Sequence, residues 1–312
     1  MPKKLISIIS PCFNEEKGIE KCYETIKDIF LKLEEYEYEH IFCDNCSSDQ
    51  TVDILKSIAE KDKNIKIILN SRNFGLLNNT YNGVMNSSGD ATLLFMPIDM
   101  QDPPELIPSF IELWEKGNDI VYGVRAKREE GFFLRTSRRL YYKLLKKVTY
   151  VDYPENVGDF QLVDKKVIEA MKLTEDANPF MRLMTFDAGF RSTGVEYTWR
   201  AREYGKSQNG LLKMFEQGLN GLISFSGLPL RLSLITGLLI SSFSILYSIS
   251  IFIMTLFGFV DSQAGIPTII VALFFFGGVQ LFFIGILGEY ILAIFNQVRK
   301  KPLVIEKERI NF

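Results

Sequence analysis

The sequence predicts an α/β domain built on a mainly parallel sheet, followed by an interfacial helix and two transmembrane helices. Three observations lead there: β-branched runs alternate with amphipathic stretches to about residue 125, polar clusters follow those runs, and two long uncharged stretches lie near the C-terminus. Strands separated by helices of this length imply parallel pairing, with ligands at the carboxyl ends of the strands.

Leu5 to Ser10, Glu39 to Asp44, Ile65 to Asn70, Ala91 to Met96 and Asp119 to Gly123 read as strands. The segments Ile19 to Leu33, Thr51 to Lys61, Leu76 to Ser87 and Glu105 to Lys116 read as the helices between them. Beyond these come a basic helical segment, Arg135 to Val148, and two more strands, Phe160 to Asp164 and Gly194 to Trp199. Leu211, Leu212, Phe215, Leu219, Leu222 and Ile223 recur at helical spacing, which suits a helix in the membrane interface or an ordinary surface helix.

From Leu232 to Phe257 and from Ile266 to Gly288 there is no charged side chain. Each run exceeds the roughly 20 residues a helix needs to cross a bilayer. Lys213 and Arg231 precede the first run, Arg299, Lys300 and Lys301 follow the second, and the connecting loop carries Asp261 with no Lys or Arg. The positive-inside rule then puts both termini in the cytosol. The expected division is a catalytic domain at 1–208, an amphipathic juxtamembrane segment at 209–228, two spans within 229–298 and a cytosolic tail at 299–312. The start of the chain does not read as a signal peptide.

Cys12, Cys22, Cys43 and Cys46 fall in a domain on the reducing side, so reduced thiols are expected. Cys43 and Cys46 form a CxxC without a second pair, and His40 is the only histidine, which argues against a zinc site and a Ser-His-Asp triad. Acid-base chemistry must rest on carboxylates. A net charge of −2 offers no basic field for nucleic acid.

No GxGxxG follows the first strand, and Gly205-Lys206-Ser207 lacks the first glycine of a phosphate loop because Arg200 stands there. Two acidic runs end strands instead: Asp44-Asn45-Cys46-Ser47-Ser48-Asp49-Gln50-Thr51, and Asp99-Met100-Gln101-Asp102-Pro103-Pro104-Glu105. Asp99 and Gln101, two apart on extended chain, can point oxygens together at Mg²⁺ or Mn²⁺ holding a diphosphate. Each run read alone could equally cap the helix after it. Arg125, Lys127, Arg128, Arg135, Arg138 and Arg139 supply cations for phosphates, or a basic face for anionic lipid headgroups.

At these residues the chain resembles the polyprenyl-phosphate glycosyltransferases of glycosyltransferase family 2, which include dolichol-phosphate mannose synthases and bactoprenol glucosyltransferases. The markers are SPCFNEE at Ser10 to Glu16, DNCSSDQT at Asp44 to Thr51, DMQDPPE at Asp99 to Glu105, GVRAKR at Gly123 to Arg128, GDFQLVD at Gly158 to Asp164 and REYGKS at Arg202 to Ser207. The resemblance implies a GT-A, Rossmann-like domain that binds a nucleotide sugar, and the two C-terminal spans match the bactoprenol branch. It implies nucleotide contacts from Pro11, Asn14, Glu15, Asp44, Asn45 and Asp99, and a divalent cation, Mg²⁺ or Mn²⁺, on Asp99 and Gln101. It further implies Asp159 at the position usually given to the catalytic base, and phosphate or acceptor contacts from Arg125, Arg139, Arg202 and Lys206.

The implied reaction is inverting transfer of a hexose, glucose first, from a UDP-sugar in preference to a GDP-sugar, onto undecaprenyl or another polyprenyl phosphate. It would occur at the cytosolic leaflet of the inner membrane, by a multi-pass homo-oligomer. Two departures are visible: Pro97 stands where the family has an acid, which removes a metal ligand, and Gln208-Asn209 replace a common Lys-Tyr. A catalytically impaired membrane scaffold and a hydroxyl acceptor are the alternatives.

Overall fold

The computed structural model describes residues 2–127, 154, 157–200, 227–257 and 265–312. They fall into two compact units, a sheet domain that includes the C-terminal residues and a pair of long helices.

In the sheet domain β1 (Lys4–Cys12), β2 (Tyr36–Asp44), β3 (Ile65–Asn70) and β4 (Ala91–Leu93) alternate with α1 (Ile19–Leu31), α2 (Thr51–Lys61) and α3 (Leu76–Met85). A 3-10 turn at Pro104–Leu106 and α4 (Ile107–Glu115) lead to β5 (Ile120–Lys127). β6 (Val157–Asp164), α5 (Lys165–Lys172), α6 (Met181–Asp187) and β7 (Ser192–Thr198) complete this part. The long helices are α7 (Leu228–Leu256) and α8 (Ile266–Val298), and β8 (Glu306–Ile310) follows them.

The described strands form one eight-stranded sheet in the order β7-β5-β6-β4-β1-β2-β3-β8. β1 pairs parallel with β2 and β4, β2 parallel with β3, and β5 parallel with β7. The mainly parallel expectation holds in this sense, but β6 runs antiparallel between β4 and β5. Consequently the start of β6 lies at the same edge as the carboxyl ends of β1, β4 and β5.

β1 is buried from Ile6 to Cys12, as suits a central strand covered on both faces. Ile6, Ile8, Phe42, Ile65 and Ile67 meet Ile19, Ile26 and Phe30 of α1, Leu55 of α2 and Phe110 of α4 in one core. The opposite face takes α3, where a Cβ on Gly83 would stand 2.4 Å from Cys43 Sγ and 2.8 Å from Ile9 Cγ2. Glycine is required there by contact, not by backbone conformation.

Two departures from expectation shape the sheet. β4 ends at Leu93, because Leu94 N–H bonds to the Gln161 carbonyl and Met96 N–H to the Ile9 carbonyl, on different neighbouring strands. Residues 306–310, expected only as tail, form an edge strand antiparallel to β3. Ser71 N–H donates to the Ile305 carbonyl at 2.9 Å, Lys56 pairs with Glu308 at 2.9 Å and Asn82 Nδ2 donates to Glu306 at 2.7 Å. Its charged sequence suits an edge.

In the second unit the apolar windows Leu230–Ile251 and Ala272–Val298 have a mean hydropathy of 1.9. Leu239, Phe243 and Phe274 are 67%, 70% and 75% exposed, so these helices present large apolar side chains outward. Their length and composition suffice to cross a membrane.

A buried ionic cluster ties β1, β2 and β3 to the turn before β4. Glu39 is 3% exposed and accepts from Ser7 Oγ at 2.5 Å, Lys66 Nζ at 2.6 Å, Ser88 N–H at 2.7 Å and Ser88 Oγ at 2.8 Å. Burial alone would raise its carboxyl, but those donors outweigh burial and hold it below its ordinary 4.5. A group lowered in this way stabilises the fold above its unfolded pKa, and the contribution is lost as pH falls through the folded one. Glu39→Ala should therefore cost about 3 kcal/mol at pH 7 in denaturant unfolding of the full chain, since it strands a paired cation and three other donors. The gap from wild type should narrow as pH falls below 4.5.

Candidate active site at the carboxyl edge of the sheet

Three non-glycine residues adopt left-handed backbone at this edge: Asn14 after β1 (φ 57°), Cys46 after β2 (φ 67°) and Met100 after β4 (φ 54°). Such conformations cost free energy and persist where surrounding bonds over-determine them. Here the loops after β1 and β2 are stitched together. Asn14 N–H donates to Ser47 Oγ at 2.9 Å, Ser48 N–H to Asn14 Oδ1 at 2.8 Å, Glu15 N–H to Thr51 Oγ1 at 2.9 Å and Glu16 N–H to Asp49 at 3.3 Å. Asp49 also accepts from Thr51 N–H, at the first residue of α2, at 3.0 Å.

Of the residues expected around a nucleotide, Pro11 sits in β1 opposite Cys43, and Asp44 and Asn45 are buried at the end of β2. Asp44 accepts from Ser47 N–H at 3.0 Å and Ser47 Oγ at 2.5 Å. Asn45 Oδ1 accepts from Phe74 N–H at 2.9 Å and Asn70 Nδ2 at 3.2 Å, while its Nδ2 donates to Asn73 at 2.9 Å. With these bonds made, Asn45 is a hub that fixes the loop after β3. Asn70 continues the chain to Asn79 at 2.7 Å, and Asn79 to the Cys43 carbonyl at 2.7 Å.

Asp99 and Gln101 do not lie on extended chain. Met100 N–H bonds back to the Pro97 carbonyl at 3.2 Å, and the left-handed Met100 turns the segment between them. Both residues are buried and adjacent, with Gln101 N–H on Asp99 Oδ1 at 3.3 Å. Gln101 Nε2 donates to the Arg200 carbonyl at 3.4 Å, and Arg200 N–H to the Gln101 carbonyl at 3.1 Å.

Asp102 does not cap the helix after it. It is 1% exposed and accepts from Arg125 Nη2 at 3.2 and 3.3 Å and from the Tyr197 hydroxyl. Arg125 Nε donates to Tyr197 Oη at 3.0 Å, and the guanidinium lies 5.1 Å from the Trp199 ring centroid. A Cβ on Gly158 would come within 3.1 Å of that guanidinium, which explains the glycine before Asp159. Burial would lower the Arg125 pKa, but Asp102 and Tyr197 raise it overall. Arg125, expected to face a phosphate, is thus turned into a clamp joining β5, β7 and the 99–105 segment.

Asp159, at the start of β6, is paired with Arg182 of α6: Nη2 to Oδ2 at 2.7 Å, Nε to Oδ1 at 3.4 Å. Burial pushes the Asp159 carboxyl up, yet Arg182 and then Arg125 outweigh burial and hold it below the usual aspartate value. It stays ionised at neutral pH. His40, by contrast, is buried in mid-sheet against Ser10 at 2.8 Å, and burial drops its pKa to about 3. The thiols of Cys12, Cys22 and Cys43 are buried and raised, and all four cysteines are free.

Of the residues singled out in the sequence, Asp44, Asn45, Asp99, Gln101, Arg125 and Asp159 lie along this edge. Asp102 stood inside a quoted motif without a role, Tyr197 lay in an expected strand, and Arg182 had no sequence signal. Arg139, Arg202, Lys206, the basic helix and the amphipathic segment from Leu211 to Ile223 lie outside the described residues. Among the described residues, no three of His, Cys, Asp and Glu converge as a metal cluster.

The profile of the family described as "Glycosyl transferase family 2" matches residues 7–171. The chain is 37% identical to the SfII prophage-derived bactoprenol glucosyl transferase of Shigella flexneri, over 97% of this chain and 97% of that protein. It is 36% identical to the uncharacterized glycosyltransferase YkcC of Bacillus subtilis (strain 168), over 96% of this chain and 92% of that one. Among solved structures it is similar to glucosyl-3-phosphoglycerate synthase from Mycobacterium tuberculosis, with a TM-score of 0.47 and 20% identity, over 72% of this chain and 80% of that chain.

Removing Asp102 strands Arg125, whose side chain is 16% exposed, without its anion. Asp102→Ala should lower the stability of the full chain by about 3 to 5 kcal/mol in denaturant unfolding, the scale for breaking one side of a buried pair. Tyr197→Phe, which keeps the ion pair, should cost only about 1 kcal/mol.

Proposed function

This chain belongs to glycosyl transferase family 2, and from that premise we propose that it moves glucose from UDP-glucose onto a polyprenyl phosphate at the cytosolic face of a membrane. The observation that carries the reading is the near full-length similarity to a protein named bactoprenol glucosyl transferase. Two helices long and apolar enough to cross a bilayer suit a lipid acceptor. The Lys and Arg residues that flank them on one side only support cytosolic termini, where nucleotide sugars are made available.

In this reading the stitched loops after β1 and β2 form the nucleotide side, with Pro11, Asn14, Glu15 and Asp44 lining it and Asn45 holding its shape. Asp99 and Gln101 would hold a divalent cation. The donor set fits: Mg²⁺ commonly takes one or two carboxylates together with substrate phosphates, so Pro97 need not be replaced by an acid. A bound cation would offset charge on the departing diphosphate. Cationic side chains assist there, for which Arg139, Arg202 and Lys206 are the candidates.

The nucleophile is an oxygen of the lipid phosphate, which attacks the anomeric carbon from the side opposite the diphosphate and inverts it. A phosphate monoester has its second pKa near 6, so at pH 7 most of it is already a dianion. It needs no base, and the low-pKa Asp159 is a poor proton acceptor. Asp159 is assigned to positioning.

Full-length protein in detergent, given labelled UDP-glucose, undecaprenyl phosphate and Mg²⁺, should form a labelled glycolipid, and chelation should stop it. Asp99→Ala should lose on the order of 10²-fold or more in turnover, with unfolding like wild type, unlike Asp102→Ala. Pro97→Asp should lower the cation concentration giving half-maximal rate. Absence of labelled lipid would contradict the reading, and wild-type turnover in chelator would remove the cation.

A further inference from the structure

The pair Asp159–Arg182 differs from Arg125–Asp102 in one respect that matters for ligands. Asp102 and Arg125 are 1% and 16% exposed at their side chains, whereas Asp159 and Arg182 are 23% exposed each. The first is an internal clamp; the second meets the open edge. Its geometry is nonetheless fixed on both sides. Thr185 Oγ1, one helical turn from Arg182, donates to Gln161 Oε1 at 2.8 Å, and Gln161 Nε2 donates to the Gly158 carbonyl at 3.0 Å, so α6 is bonded to the strand that carries Asp159. Met181, Leu183, Met184 and Phe186 bury the rest of α6.

Arg182 bonds to Asp159, and the Arg125 guanidinium packs against Gly158, the residue before it. Two guanidiniums are thereby gathered beside the start of β6, each held by its own carboxylate. Anions favour such a place. The donor diphosphate has a divalent cation at Asp99 in the reaction as assigned, while the acceptor phosphate brings none. An unpaired Asp159 would repel a dianionic phosphate. A guanidinium carries five N–H donors in a planar fork and can serve two anions at once, so the same side chain can neutralise Asp159 and hold a phosphate oxygen.

We propose that Arg182 binds the phosphate of the lipid acceptor, and that Asp159 is a positioning residue acting through Arg182. The inference rests on the assignment of a polyprenyl phosphate acceptor. It adds to that assignment a named recognition residue and a reason for an aspartate where no base is needed.

The test is steady-state kinetics on the full-length protein with undecaprenyl phosphate and UDP-glucose varied separately, together with UDP binding by calorimetry. Arg182→Gln should raise the acceptor KM by about 10- to 100-fold, the range for losing a charge-assisted hydrogen bond. Its UDP-glucose KM and UDP Kd should stay at wild-type values. Arg182→Lys, which keeps the charge and loses the fork, should give a smaller rise and serves as the folding control. Asp159→Asn should also raise the acceptor KM, and the double variant should show little beyond Arg182→Gln alone, as expected of residues acting through one contact. A rise in donor KM or UDP Kd with acceptor KM unchanged would overturn the role of Arg182 while leaving the acceptor assignment standing. A wild-type protein that glucosylates no lipid phosphate would remove both.

Discussion

Arg125 can be buried only because Asp102 and Tyr197 are brought to it, and that requirement organises the half of the sheet where chemistry is assigned. Taking a guanidinium out of water is costly unless a hydrogen-bonded anion accompanies it. Asp102 comes from the segment after β4, Arg125 from β5 and Tyr197 from β7, so the clamp joins parts of the chain 95 residues apart. Gly158 of β6 leaves the room that the guanidinium occupies. Once this clamp is closed, Asp99 and Gln101 on one side and Asp159 on the other are fixed along a single edge.

The same edge answers a general difficulty of phosphate chemistry, which is that donor and acceptor are both anions. The loops after β1, β2 and β3 are held together by hydrogen bonds, among them the amide chain Asn79-Asn70-Asn45-Asn73. The opposite side gathers guanidiniums, each matched to a carboxylate. Asp99 lies between them in sequence and in the sheet. In the proposed reaction the loops would take the donor and the ion-paired side the acceptor.

Much of this was legible in the sequence because strand ends announce themselves. Asp44-Asn45 and Asp99-Met100-Gln101-Asp102 follow apolar runs, at the strand ends where ligands of an open α/β sheet gather. The extended reading of Asp99 and Gln101 failed because a left-handed backbone at Met100, a non-glycine residue, carries no signal in the sequence. Arg182 was missed for a similar reason: its partner is 23 residues away, across the rest of β6 and α5. β8 was hidden by its own composition, since Glu306-Lys307-Glu308-Arg309 lacks the apolar alternation by which a strand is recognised, although its bonds to β3 place it firmly. The apolar helices, by contrast, were evident from charge alone.

The central claim is that the acceptor is already a nucleophile and that Asp159, held ionised by Arg182, takes no proton from it. The most direct measurement is turnover against pH for wild type and Asp159→Asn, with chemistry shown to be the slow step. The account predicts one acidic limb near the second phosphate pKa, about 6, present in both proteins and lower in height for the variant. An ionisation present in wild type and missing from Asp159→Asn would contradict it and make the aspartate a base.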